Sequence, residues 1–200
     1  MNESTPEPAT GRRERKKART RTAIQHHALR LFSRQGYEAT TVTQIAEAAD
    51  VSESTLFRYF PTKEDLVLWD DVGPHLAAAY RAQPARLGPI PALRATFTQL
   101  LGAAGTQARA QVRDRVGLML SAPPLRAALL DQLDGPTRML AGLVAERAGR
   151  EPGDPAVRAT AGAVVGVGLA AMFAAARDPG ADVVDLLDEA MAHLEAGLPL

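Results

Sequence analysis

The sequence predicts an all-α protein, with a small three-helix module near its N-terminus and a larger helical domain behind it. Three observations carry this. Apolar residues recur at i, i+3 and i+4 spacing. Proline and glycine cluster so as to cut the later two thirds into helix-length pieces. No stretch alternates in the way a half-buried strand requires. The 200 residues are 46% apolar and 23% charged, a globular balance. Cysteine is absent, so disulfides, thiolate zinc sites and cysteine nucleophiles are excluded, and a cytoplasmic location is expected. The opening MNESTPEPATGRRERKKART has basic residues without an apolar run behind them, so no signal peptide is expected.

Residues 1–14 read as a disordered basic arm, 15–66 as the three-helix module and 67–200 as the helical domain. The first helix puts Ile24, Ala28, Leu31 and Phe32 on one face and ends at Gly36. Thr41 and Gln44 form a capping box for a second, short helix with Val42, Ile45, Ala46 and Ala49 on its apolar face. Ser52 caps a third helix, which must stop before Pro61. A further helix restarts at once, with Thr62 as cap and Asp65 three residues on. Two short helices joined by a brief turn and held by a longer one have the layout of a helix-turn-helix.

Breaks in the remainder are expected at GP (73–74), LGPIP (87–91), APP (122–124), DGP (134–136) and EPGDP (151–155). Asp154 and Pro155 open a helix to about Arg177, and Asp182 caps a last one whose face is Val183, Leu187, Ala190, Met191 and Leu194. The 18 uncharged residues between Arg158 and Arg177 reach the lower limit for crossing a bilayer. Their many Ala and Gly suit a closely packed buried helix equally well, and no membrane is expected.

Net charge is zero, yet its distribution is uneven. Residues 11–37 carry nine Arg and Lys against Glu14, whereas after Arg177 there are only acids. The basic end can attract a polyanion; a solvated tail is the alternative. In the third helix Leu56 and Phe60 share a face by i, i+4 spacing and are assigned to the core. That leaves Glu53, Ser54, Thr55, Arg58 and Tyr59 to the outer and N-terminal surfaces. Hydroxyls and basic groups on such a helix suit phosphate and base contacts, and Lys63 opens the next helix, where a phosphate is also favoured.

The run TTVTQIAEAADVSESTLFRYFPTKEDLV, behind a helix ending LFSRQGYEA, resembles the DNA-binding region of the TetR family of bacterial transcriptional regulators over roughly residues 15 to 68. The resemblance implies an all-α homodimer whose N-terminal modules bind successive major grooves of a double-stranded operator, an inverted repeat. It also implies a C-terminal domain for dimerisation and a small-molecule effector, whose binding typically releases DNA. Carried over by position, its DNA contacts fall on Thr43, Glu53, Ser54, Thr55, Phe57, Tyr59 and Lys63, with Ser52 and Arg58 beside them. Position 57 is often tyrosine in the family; Phe57 cannot donate to phosphate, which leaves that contact to Arg58 or Tyr59. Glu53 either accepts from a cytosine amino group or stabilises the helix N-terminus. The Arg12–Arg21 arm could add phosphate or minor-groove contacts.

For the effector pocket the candidates are Trp69, Phe97, Leu101, Val116, Met119, Leu120 and Phe173, apolar residues that would serve a plain core as well. The dimer interface is expected on the last two helices, at Gly162, Gly166, Ala170, Leu187, Met191 and Leu194, with packing inside one chain as the alternative. The basic arm, FRYFPTKEDLVLWDD and the Ala/Arg-rich C-terminal half are together similar to actinobacterial members of the family, the mycofactocin type among them. That similarity implies acyl-CoA-like ligands, with Arg109, Arg113 or Arg115 meeting their phosphates.

No enzyme is expected. GVGLAA at 166–171 lies within a helix with no strand before it, and the nucleophile-elbow, zinc-helix and P-loop motifs are missing. The four histidines are scattered, so neither a metal nor a cofactor is expected. Two alternatives remain within reach of the residues: an activator of the same family, and a ligand-binding helical protein whose basic arm only anchors it to anionic surfaces.

Overall fold

The computed structural model describes residues 9–69, 72–102, 105–178 and 180–199, and among them every regular element is a helix. They are α1 (Ala9–Gln35), α2 (Val42–Ala48), α3 (Glu53–Tyr59), α4 (Asp65–Leu68), α5 (Val72–Ala82), α6 (Pro89–Gly102), α7 (Thr106–Ser121), α8 (Pro123–Asp131), α9 (Asp134–Ala148), α10 (Pro155–Arg177) and α11 (Val183–Glu195). The chain divides into two compact units, at Trp69/Asp70 rather than at 66/67.

In the first unit the caps expected for α1, α2 and α3 are made, whereas α4 starts at Asp65 behind Glu64, which makes no side-chain cap bond. Gly36 adopts φ +86°, and its N–H donates to the Phe32 carbonyl, closing α1 in the left-handed conformation that glycine tolerates best. The Thr41 hydroxyl accepts from Gln44 N–H while the Gln44 side chain accepts from Thr41 N–H. Thr62 and Asp65 repeat that reciprocal pair. The helix after it is only one turn long, because Trp69 already has extended backbone. Ile24, Ala28, Phe32, Ile45, Leu56, Phe60, Leu66 and Val67 are buried and make the unit's core.

One boundary differs from expectation. The helix reaches back to Ala9, so residues 9–14 of the basic arm are helical, and residues 1–8 lie outside the described part. A run of Arg, Lys and Glu has high helix propensity, and propagation from an anchored helix needs no new nucleus.

In the second unit Pro74 and Pro136 sit in the first turns of α5 and α9, Pro89 and Pro155 open α6 and α10, and Pro123 and Pro124 open α8. Each is where a missing N–H costs nothing. The break between α6 and α7, near Gly102 and Gly105, has no proline and was not among the expected ones. Asp154 caps α10 through Ala156 N–H and Asp182 caps α11 through Val184 N–H. Tyr80, Leu93, Leu140, Val144, Val157, Ala161, Val164, Met191 and Leu194 form the core.

That core takes up part of the candidate dimer set. Met191 and Leu194 are buried within one chain, and Leu187 packs against the same cluster. Leu187 is half-buried, whereas Gly162, Gly166 and Ala170 are exposed on α10. This helix is long and apolar enough to cross a membrane by length and composition. Its Val157, Ala161, Val164, Ala171 and Ala175, however, are buried in the unit's own packing.

Arg94 ties α6 to α11. Its Nε and Nη2 donate to the two Asp188 oxygens at 3.0 Å each, and Nη1 reaches Glu195 at 3.3 Å. The hydrogen bond from Arg94 holds the Asp188 carboxyl below the usual carboxylate range, partly opposed by burial. A lowered pKa stabilises the fold above the unfolded value near 4 and loses that effect as pH falls through the folded value. Urea titration should therefore show Asp188→Asn less stable than the parent at pH 7. The gap should narrow as pH drops below about 4.

Candidate nucleic-acid interface

The turn between α2 and α3 is tight: Asp50 takes φ +53°, its N–H donates to Glu47, and Val51 N–H donates to Ala46. Asp is among the few side chains that accept this region readily. Past it, the Ser52 hydroxyl accepts from Thr55 N–H and lies 3.0 Å from both the Ser54 and Thr55 hydroxyls. Three hydroxyls thus crowd the N-terminus of α3, where free N–H groups and the helix dipole favour negative charge.

The faces of α3 separate cleanly. Leu56, and Phe60 just beyond the last turn, are fully buried. Ser52, Glu53, Ser54, Phe57 and Arg58 are exposed, Phe57 to 44%, while Thr55 and Tyr59 are half-buried. Arg58 stacks over the Tyr59 ring, 5.6 Å from its centroid. The exposed Thr43 of α2 donates from its hydroxyl to Glu53 at 2.5 Å. This bridges the two helices and occupies one oxygen of the carboxylate, an arrangement closer to the helix-stabilising role of Glu53 than to base reading.

Two cations stand elsewhere than expected. Lys63 is half-buried: its ammonium donates to the Tyr37 carbonyl at 2.6 Å and lies 4.2 Å from that ring's centroid. One-turn α4 offers little dipole for a phosphate, so the Lys63 geometry follows Tyr37 instead. The Tyr37 hydroxyl in turn donates to Glu64 at 2.7 Å, and burial first, then Glu64, pushes its pKa up.

Arg21, counted with the arm, belongs to the fold. Its Nη2 donates to the Tyr59 carbonyl at 2.8 Å, and its guanidinium lies 4.8 Å from the Trp69 ring centroid and 5.6 Å from that of Phe60. Nothing in the basic run distinguishes this arginine from Arg13, Lys16, Lys17 and Arg19, which are exposed.

The second unit holds a cavity of about 140 Å³ between α6, α7 and α11. Phe97, Leu101, Leu187 and Met191 line it, and Arg94 and Arg109 stand at its wall. The other expected pocket residues do not. Trp69 is in the first unit against Phe60, Val116 and Met119 are buried on α7, Leu120 is half-buried, and Phe173 is 41% exposed. Arg109 is held by Asp182 and Asp185 at 3.0 Å each, and Arg113 lies 3.5 Å from Asp114.

Comparison with known proteins decides the family. The model described as the MftR C-terminal domain matches residues 87–199, and that of bacterial regulatory proteins of the tetR family matches 24–68. The chain belongs to the TetR family. It is a transcriptional regulator, and this family is not enzymatic.

Among its relatives is the putative mycofactocin biosynthesis transcriptional regulator MftR of Mycobacterium tuberculosis. The two are 29% identical over 192 residues, 92% of this chain and 96% of that protein. TcmR of Streptomyces glaucescens is 43% identical over 101 residues, which span 50% of this chain but only 44% of TcmR. Among solved structures, Thermus thermophilus FadR, a TetR-family repressor in complex with lauroyl-CoA, is similar at TM-score 0.58 and 25% identity. That match covers 90% of this chain and 95% of FadR. Bacillus subtilis FadR with stearoyl-CoA shares the fold at TM-score 0.55 and 20% identity, over 89% and 99% of the two chains.

Two substitutions separate reading from anchoring. Ser54→Ala should weaken binding to a preferred site by about 1–3 kcal/mol and leave non-specific binding unchanged. Arg58→Ala should weaken both and lower the slope of log K against log salt by about 1. Fluorescence anisotropy on specific and scrambled duplexes across a salt series measures both effects.

Proposed function

We propose that this regulator is a dimeric repressor that reads an inverted-repeat operator with α3 and is released by a small lipophilic, acyl-CoA-like effector. The observation that carries the reading is the division of α3: Leu56 is buried in the core, and the outer side carries the exposed Ser54, Phe57 and Arg58 with the half-buried Thr55 and Tyr59, behind the exposed cap Ser52. Thr43 adjoins this surface through Glu53, and the exposed cations of α1 add sequence-independent attraction to phosphates. A regulator working on DNA in this way acts in the cytoplasm, on the nucleoid.

Dimerisation is supported by α10. Gly162, Gly166, Ala170 and the exposed Phe173 follow one another at helical spacing on its outer side. A Cβ at either glycine would meet nothing within 4 Å, so this chain's own packing has no use for their small size. A second helix approaching closely would have one. The effector reading is supported by the FadR likeness and by the cavity holding Phe97 and Leu101. At about 140 Å³ it is smaller than the roughly 300–1,000 Å³ of ordinary ligand sites. An acyl ligand must therefore widen it, and that differential fit is what shifts the population away from the DNA-binding form.

Purified protein incubated with sheared genomic DNA at moderate salt should enrich a few sites sharing an inverted repeat. Its half-site centres should lie roughly 34–36 Å apart. Tyr59→Ala should lose those sites, and lauroyl-CoA should reduce their occupancy in the parent. Smooth enrichment that salt abolishes equally in both proteins would instead leave an electrostatic anchor.

A further inference from the structure

Arg147 of α9 is placed with unusual economy of donors. A guanidinium carries five N–H groups. Nη1 donates to the carbonyls of Pro84 at 3.0 Å and Leu87 at 3.2 Å, and Nη2 to those of Tyr80 at 2.7 Å and Gln83 at 3.2 Å. Four donors are thus spent on the C-terminal end of α5 and the segment after it, with the guanidinium 4.7 Å from the Tyr80 ring centroid. The fifth, Nε–H, is buried and meets no acceptor among the described residues. The Tyr80 hydroxyl, on a side chain only 1% exposed, likewise finds no acceptor for its proton among the described residues.

Buried polar atoms without partners are few in folded proteins, and two on touching residues call for an explanation. Neither is far from solvent-facing space. Tyr80 and Arg147 line one groove of about 220 Å³ with Arg81, Gln83, Leu143 and Glu146. Nor is the cation matched by a carboxylate: Glu146 takes Arg81 Nε on both its oxygens, at 3.0 and 2.9 Å, and Arg147 has only carbonyl partners among the described residues.

We propose that this groove is a binding subsite for a small oxyanion, a carboxylate or phosphate group, one of whose oxygens accepts from both Arg147 Nε–H and Tyr80 O–H. Nε–H can only donate, which excludes a cation or a donor group at that atom. A charged acceptor also supplies the counter-charge that the guanidinium lacks. Burial raises the Tyr80 pKa, and the charge of Arg147 and its hydrogen bond to the phenol oxygen pull it back only in part, so the phenol keeps its proton and stays a donor. The subsite uses residues other than those of the cavity between α6, α7 and α11, and it stands whether or not that cavity takes an acyl ligand.

The test follows the arginine Nε–H resonances of the ¹⁵N-labelled full-length protein by NMR. Sodium butyrate and sodium phosphate are titrated separately, each against sodium chloride at matched ionic strength. One resonance, absent in Arg147→Lys, should shift saturably with at least one of the two salts and not with chloride. The stronger of the two arms identifies the source as carboxylate or phosphoryl. Tyr80→Phe should weaken that binding roughly tenfold or more, the effect of one lost charge-assisted hydrogen bond. It should also leave the thermal midpoint close to that of the parent, because the O–H it removes has no acceptor among the described residues. If Arg147→Lys does not fold, the comparison of parent with Tyr80→Phe decides alone. No saturable shift with either salt, or equal affinity in Tyr80→Phe, would overturn the proposal and leave ordered water as the occupant. Since no DNA enters this measurement, its failure is separate from any failure of operator reading.

Discussion

The guanidinium of Arg21 on the Tyr59 carbonyl is the contact on which the geometry of the first unit turns. A helix of seven residues has no independent stability in water, so α3 exists only because other parts of the unit hold it. Ser52 satisfies its N-terminus, Leu56 and Phe60 bury its inner side, and Arg21 takes up a carbonyl that the last turn leaves open. The same guanidinium lies against Trp69 and Phe60, and Gln25, one turn further along α1, donates to the Trp69 carbonyl at 2.6 Å. One long helix therefore holds the C-terminal end of the segment that presents Ser54, Arg58 and Tyr59, and the end of α4 after it. A reading head must hold its side chains to within fractions of an ångström, and this is how a short helix acquires that rigidity.

The second unit uses the same device at a larger scale. Arg94 fastens α11 to α6 through Asp188 and Glu195, Arg109 fastens it to α7 through Asp182 and Asp185, and Arg147 gathers four carbonyls at the end of α5. Exposed ion pairs add little to stability, but bidentate ones such as Arg94 with Asp188 fix orientation. The outer side of α10 is left with glycine, alanine and Phe173 and no such fastening. The inner packing of the late helices is complete within one chain, while this outer strip is not.

Much of the fold was legible because its signals are local. Thr41 with Gln44, Ser52, Thr62 with Asp65, Asp154 before Pro155, and Asp182 each announce a helix start through a hydrogen bond spanning two or three residues. Contacts that need a distant partner leave no such local signal. Met191 and Leu194 form the apolar face of an amphipathic helix, and such a face looks the same whether a second chain or its own chain covers it. Arg21 is lost in a basic run, and only the packing of Trp69 and Phe60 singles it out. Lys63 follows Tyr37, 26 residues away, and Trp69 is held in the first unit by that same long-range packing. On α3 the division into core and outer residues was readable from i, i+4 spacing alone, since Leu56 and Phe60 can share only one face.

The most direct test of the account is hydrogen–deuterium exchange of the full-length protein, alone and with a selected operator fragment. If the outer face of α3 reads DNA, backbone amides of residues 52–59 should exchange more slowly in the complex, with weaker protection at Thr43 and along the exposed cations of α1. Protection confined to residues 13–19, removed by modest salt and leaving 42–63 unchanged, would contradict it.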